Sequence, residues 1–341
     1  MNYFKIATAF ILLTLNFLNV QAQPSNDFKT AWKNIELLEN KGLTKDALKE
    51  VVKIFDAANK AGNQAQQIKA AMYQMKFRNI VEEDNRENNI FFLDTLIAKT
   101  KAPVKNILQS MQAELFNNYK NQNLYSLYDR TELTEEKSND ITTWSIAKLN
   151  TTITALYKLS LKNEALLQST KLEGLDAILS KGLNSRQLRP TLYDFLAHRA
   201  LDYFSNEAND VNNPSFKFIL NDENIFAPIN KFVAVKFSTK DSSSLYYNAL
   251  LLLQDILAFH LPDANKDALL DADLKRLSFV NDHGVFNNKS SLYEAALLSI
   301  ETNYSSSPFA AQAIYLRAKE YMQKGTQYIP LTAKENQFEI K

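Results

Sequence analysis

The chain has no cysteine in its 341 residues. That excludes disulfides, a lipid tether through an N-terminal Cys, and thiolate metal ligands, so stability has to come from buried apolar surface. Glycine (6) and proline (8) are also scarce. The glycines stand singly at positions 42, 62, 174, 182, 284 and 325. No pair lies close enough to cradle a phosphate, which excludes Rossmann and P-loop sites. Neither sign of charge is in excess, with 39 Lys plus Arg against 38 Asp plus Glu. A balance of that kind supplies no overall field for nucleic acid or an anionic membrane. Neither the Gly-X-Ser-X-Gly elbow nor the HExxH motif occurs.

Long apolar runs are likewise missing. Residues 6–20 are apolar but short for a bilayer, and Thr8, Thr14, Asn16 and Asn19 weaken them further. Lys5 before this run and Val20-Gln21-Ala22 after it complete the pattern of an export signal over residues 1–22, cleaved before Gln23. The run at 245–261 carries Asn248, Gln254 and Asp255, so it reads as a buried helix and not a membrane span. The mature chain is therefore expected to be exported, to the periplasm or the cell exterior, and not integral to a membrane.

What is present is helical patterning. Few breakers and many helix formers predict an all-α chain. Phe28, Trp32, Ile35 and Leu38 form one apolar stripe, and Ala47, Val51, Ile54, Ala58 and Ala61 a second. Ala65, Ile68, Met72 and Met75 form a third. Their +3/+4 spacing belongs to a period of 3.6. Gly42 and Gly62 stand at the two junctions, where a residue without Cβ suits the left-handed position past a helix end. Helices joined by two or three residues fold back antiparallel.

Further helices are expected over 88–99 (stripe Phe91, Phe92, Ile97), from Pro103 through Leu115, over 141–161, 166–179 and 191–204, and then over 245–260, 266–280, 290–304 and 309–324. Lys181-Gly182-Leu183 repeats the punctuation of Lys41-Gly42-Leu43. In the last pair, Tyr293, Ala296 and Leu297 are expected to face Ala310, Ala313, Ala318 and Tyr321. The fold class expected is an all-α, irregular helical-hairpin, tetratricopeptide-like α-solenoid. Its parts would be a helical repeat region at 23–205, an irregular linker at 206–241 whose Phe216, Phe218, Ile219, Phe226 and Val233 tuck against helices, a second repeat region at 242–325, and a tail at 326–341. No polar capping helix follows Gly325, which points to a chain that once ran further or continues elsewhere.

The sharpest chemical constellation is Asp194, His198 and Asp202, each four residues apart and expected on one helix face. A carboxylate beside an imidazole can orient it as a base, and i,i+4 side chains can share a metal. A catalytic zinc needs a third protein ligand, however, and His260 and His283, the remaining histidines, lie in no matching motif. A packing or capping role is favoured about five to one. Residues 261–273 imitate a calcium loop with Asp263, Asn265 and Asp267, but Ala268 replaces the turn glycine and Leu274 the bidentate glutamate. Asp263 is expected to cap the next helix. The acidic clusters at 82–84 and 132–136 read as solvated faces, and the sequons at Asn150, Asn288 and Asn303 are common by chance. No catalytic, cofactor-binding or metal residue is assigned.

Several blocks carry a resemblance: residues 44–61 (TKDALKEVVKIFDAANKA), 103–114 (PVKNILQSMQAE), Tyr128-Asp129-Arg130-Thr131, 140–144 (DITTW), 189–204 (RPTLYDFLAHRALDYF) and 271–280 (DADLKRLSFV). In this order they resemble the N-terminal helical region of the large, exported bacterial alpha-2-macroglobulin family. The resemblance covers most of the chain after the signal, and its most specific piece is RPTLYDFLAHRALDYF. It implies protease trapping, carried in that family by later macroglobulin-type β-sandwich domains, a bait region and often a Cys-Gln thioester. With no cysteine this chain has no thioester, and no strand-rich module follows residue 330 within it. The expectation is an exported, non-enzymatic helical scaffold that meets protein partners, whether proteases or envelope proteins reached through a larger assembly. The alternative is a stand-alone tetratricopeptide-like envelope adaptor gripping a peptide or protein.

Overall fold

The computed structural model describes residues 25–128, 137, 139–183, 185–209 and 216–326. The export signal expected over residues 1–22 lies outside them, as do Asp129 to Glu136 and the tail after Thr326. Among the described residues the protein is all-α, with fifteen α-helices, no strand, and a single β-bridge between Lys171 and Thr191. None of these helices is long and apolar enough to cross a membrane. The chain divides into two compact units, Met1–Arg86 and Glu87–Lys341.

The first unit holds α1 (Ser25–Asn40), α2 (Thr44–Ala61) and α3 (Gln64–Val81). Both expected glycines are left-handed, Gly42 at φ 72° and Gly62 at φ 66°. Each lets the following N–H turn back into the helix: Leu43 donates to Leu38 O and Asn63 to Ala58 O, both at 2.9 Å. These bonds satisfy carbonyls that the helix end would otherwise leave unpaired. The second stripe is realised through Ala47, Val51, Ile54 and Ala58, all buried, while its last member, Ala61, is half-buried. The third is not: Met72 is exposed, and Gln67, Ala70, Ala71, Gln74 and Phe77 are buried beside Ile68 and Met75. That buried arc is too broad to show as one apolar stripe, because Gln67 goes inside with a partner, donating to Asn59 Oδ1 at 3.0 Å.

The second unit holds α4 (Phe92–Ala98), α5 (Val104–Gln122), α6 (Leu124–Tyr128), α7 (Ile146–Ser160), α8 (Glu164–Ser169), α9 (Ser185–Leu188), α10 (Leu192–Phe204), α11 (Ile229–Phe232), α12 (Leu245–His260), α13 (Asp267–His283), α14 (Lys289–Asn303) and α15 (Pro308–Thr326). α10 is central to it. Thirteen residues long, it has Leu192, Tyr193, Asp194, Leu196, Ala197, His198, Ala200, Leu201, Tyr203 and Phe204 buried. It packs on α12, α8, α5 and α7. Each fully buried Leu or Phe contributes roughly 1.5–3 kcal/mol, so this one helix organises much of the unit's core.

Several local expectations are corrected. Ile90, just before α4, and Leu93 and Leu96 within it are buried, whereas Phe91, Phe92 and Ile97 stay partly open. Phe91 still meets Phe116 edge-on and Trp144 at a tilt, at 5.6 and 5.3 Å between centroids. Gly182 ends no helix: α8 stops at Ser169, and a short 3-10 turn covers Leu172–Leu175. In the stretch after residue 215, Phe216 and Ile219 point to solvent, while Leu220, Ile225, Phe226, Ile229 and Phe232 are buried. Gln254 of α12 fastens this segment, its Nε2 donating to Phe232 O (2.7 Å) and Val235 O (2.9 Å). On α15, Ala310 and Ala313 are buried but Ala318 is exposed.

Candidate functional site

The residues with chemical potential converge where α10 meets the end of α12. Thr191 caps α10 in a capping box with Asp194. Asp194 Oδ2 accepts from the Thr191 backbone N–H (2.9 Å) and hydroxyl (2.7 Å). Its other oxygen, Oδ1, accepts from His260 Nε2 at 2.8 Å. His260 is the last residue of α12, and its second ring nitrogen reaches Asp263 Oδ2 at 2.7 Å. An imidazole facing carboxylates through both nitrogens is held as the doubly protonated cation. Burial opposes that charge, but the hydrogen bond and charge of Asp194, then those of Asp263, outweigh it and raise the His260 pKa above its ordinary value.

The three residues singled out by spacing do not act together. Asp194 turns to His260, 66 positions away, and not to His198. His198 is buried, and its Nδ1 has no hydrogen-bond partner among the described residues. Burial first, and then the charges of Arg189, Lys275 and His260, press its pKa down to about 2, so the ring is neutral. Asp202 lies at the surface, paired with Lys275 at 2.6 Å. The residues of the calcium-like stretch also disperse. Asp263 does not cap α13, because its carboxylate is taken by His260; Asn265 Oδ1 instead accepts the Asp267 N–H at 2.8 Å. Asp267 takes a hydrogen bond from Gln187, and Asp273 pairs with Arg276. Among the described residues, no three His, Asp or Glu side chains gather as a metal ion would require.

Two buried cations carried no motif. Arg276 is 1% exposed, and its Nε donates to Asp273 Oδ1 at 2.8 Å. Its Nη1 donates to Ile225 O (2.8 Å) and Ala227 O (2.9 Å), and its guanidinium lies 4.4 Å over Phe232. The planar fork thus ties residues 225–232 to α13. Beside it runs a cleft of about 730 Å³ lined by Pro228, Leu292, Ala296, Asn303 and Tyr304. Ala296 therefore looks onto this cleft. Lys120, also 1% exposed, donates to Asn150 Oδ1 (3.0 Å) and Asn209 Oδ1 (2.8 Å). Burial draws its pKa down to about 8. Asn150, the first sequon asparagine, is buried and spends its amide on Asn209 O at 3.2 Å, so it presents no acceptor for a glycan. A single local signal could have pointed to Lys120 and Arg276: each is a charged residue placed on the apolar face of its helix.

No protein-family model matches the chain, and neither a curated protein nor a solved structure is significantly similar to it.

Proposed function

We propose that the chain is an exported helical scaffold and partner-binding region, non-enzymatic, and similar to the N-terminal part of a bacterial alpha-2-macroglobulin-like protease inhibitor. Its antiparallel helix pairs are read as an irregular, tetratricopeptide-like solenoid. One observation carries the reading: the most specific block of the resemblance, RPTLYDFLAHRALDYF, forms the buried organising helix α10 and its cap. A block of sequence whose Thr191 and Asp194 are spent on capping and on His260, and whose His198 is packed inside, specifies an architecture, and architectures of stacked helical hairpins work by presenting surfaces. Asp194 and His260 belong to the same argument, since their hydrogen bonds join helices to each other.

The test is on the native protein. Antibody against residues 25–326 is used on fractionated cells of the source, followed by N-terminal sequencing and sizing of the recovered species. An exported species starting at Gln23, in a polypeptide much larger than 38.9 kDa, is the expected outcome. An exported species of the chain's own size would favour the stand-alone adaptor. A cytoplasmic species with residues 1–22 intact would overturn both.

A further inference from the structure

In the first unit, α1 and α3 run side by side in the same direction, each packed through α2. The register is explicit. Trp32 of α1 meets Tyr73 at 4.8 Å between ring centroids and donates its indole N–H to Gln66 Oε1 at 2.5 Å. Seven residues beyond Trp32, Glu39 pairs with Lys76, itself seven beyond Lys69. Between the helices lies a cleft of about 650 Å³, lined at one end by Lys29, Trp32, Lys33 and Lys69 and at the other by Glu36 and Glu39.

Lys69 is the unusual member. Its ammonium sits 4.1 Å over the Trp32 ring and 5.8 Å from the Tyr73 centroid. Among the described residues no carboxylate lies within ion-pair distance of it, although Lys76, one helical repeat along, has Glu39. Burial lowers the Lys69 pKa. Two aromatic faces thus hold a cation that has already lost part of its hydration, in a cleft and, among the described residues, with its donors unspent. A carboxylate arriving there gains a charge-assisted hydrogen bond at a reduced desolvation cost. Lys29 and Lys33 flank the entrance with the same sign, and the indole and phenol rings offer apolar contact alongside.

We propose that this cleft binds an acidic peptide segment, with a carboxylate on Lys69 and a neighbouring apolar side chain against Trp32 and Tyr73. The proposal deepens the partner-binding reading by naming the chemistry of the partner. The probe is a fluorescein-labelled hexapeptide of alternating Glu and Leu, titrated with the full chain by anisotropy, with Trp32 quenching as a local readout. Saturable binding is expected, with at least a tenfold loss on Lys69→Met, on replacing Glu by Gln in the peptide, and between low and high salt; tenfold corresponds to about 1.4 kcal/mol. Lys69→Arg keeps the charge and should bind within about threefold of wild type, and Lys45→Met on the exposed side of α2 should change nothing. Absence of saturable binding, equal binding of the Gln peptide, an unaffected and fully helical Lys69→Met variant, or tighter binding of single-stranded oligothymidine would each overturn the site. Any of these results with an exported native protein removes the cleft alone and leaves the scaffold standing. A cytoplasmic native protein that still binds the peptide through Lys69 removes the exported reading and leaves the cleft.

Discussion

The second unit buries a positive charge in two ways. At the α10–α12 junction, His260 lies between Asp194 and Asp263, and its pKa is raised despite burial. Where α5 meets α7 and α10, Lys120 is met, among the described residues, by the amide oxygens of Asn150 and Asn209, with the Tyr203 ring 5.2 Å away, and its pKa falls to about 8. Both cations have two side-chain acceptors. The difference is that a carboxylate returns Coulomb energy that an amide dipole cannot, so only the first environment offsets the loss of hydration. The two junctions therefore answer pH with opposite signs. The His260 site favours the folded state below the unfolded histidine value of about 6.5, and that contribution is lost as pH rises through the raised folded value. The Lys120 site penalises the folded state below pH 8, and the penalty is relieved as pH rises towards the unfolded lysine value of 10.5.

The largest expected effect comes from removing the shared carboxylate. Asp194→Ala takes away the His260 counterion and the Thr191 capping partner together, and should cost about 3–5 kcal/mol in urea unfolding at neutral pH. A loss below about 1 kcal/mol would mean that the imidazolium is not held by Asp194. Next is the titration of Lys120. Raising pH from 7 to 10.5 should stabilise wild type by about 3 kcal/mol relative to Lys120→Met, because the lysine can then fold uncharged. Parallel stability curves for the two proteins over that range would contradict the depressed pKa. His260→Gln should cost about 2 kcal/mol at pH 6, the scale of a hydrogen bond to a charged group, with the deficit shrinking as pH rises above 6.5. His198 works against this in acid, since a buried neutral ring destabilises the fold as pH drops below 6.5; the comparison is best made in a His198→Leu background. The smallest effect is the exposed control. Asp202→Ala breaks the surface pair with Lys275 and should cost less than about 0.5 kcal/mol.

Asp194, His198 and Asp202 show how far sequence spacing reaches. The helix and its start at Thr191 were legible, because the apolar period is local. The partnership of Asp194 was not, because its second oxygen is used by a residue 66 positions away in the chain. Spacing also misplaced Asp202: eight residues at 3.6 per turn rotate a side chain by about 80°, enough to carry it from the buried face to solvent. Asp263 was misread for a related reason. A carboxylate before a helix prefers to cap it, yet the imidazole nitrogen that Asp194 leaves open at the end of α12 is a stronger partner than a backbone N–H. Met72 and Gln67 mark a further limit, since a buried Gln with an internal partner is indistinguishable in sequence from an exposed one.

By itself the sequence determined the all-α class, the helix boundaries set by Gly42, Gly62, Pro103 and Thr191, and the exclusion of disulfide, thioester and phosphate-loop chemistry. Each follows from backbone preference or from the plain presence of an atom, and both are local. Tertiary structure alone decided which partners meet the buried charges, which carboxylate meets which cation, and where Lys69 stands over Trp32. Those outcomes depend on distances between helices far apart in the chain, and the energy of a charge depends on what replaces its water.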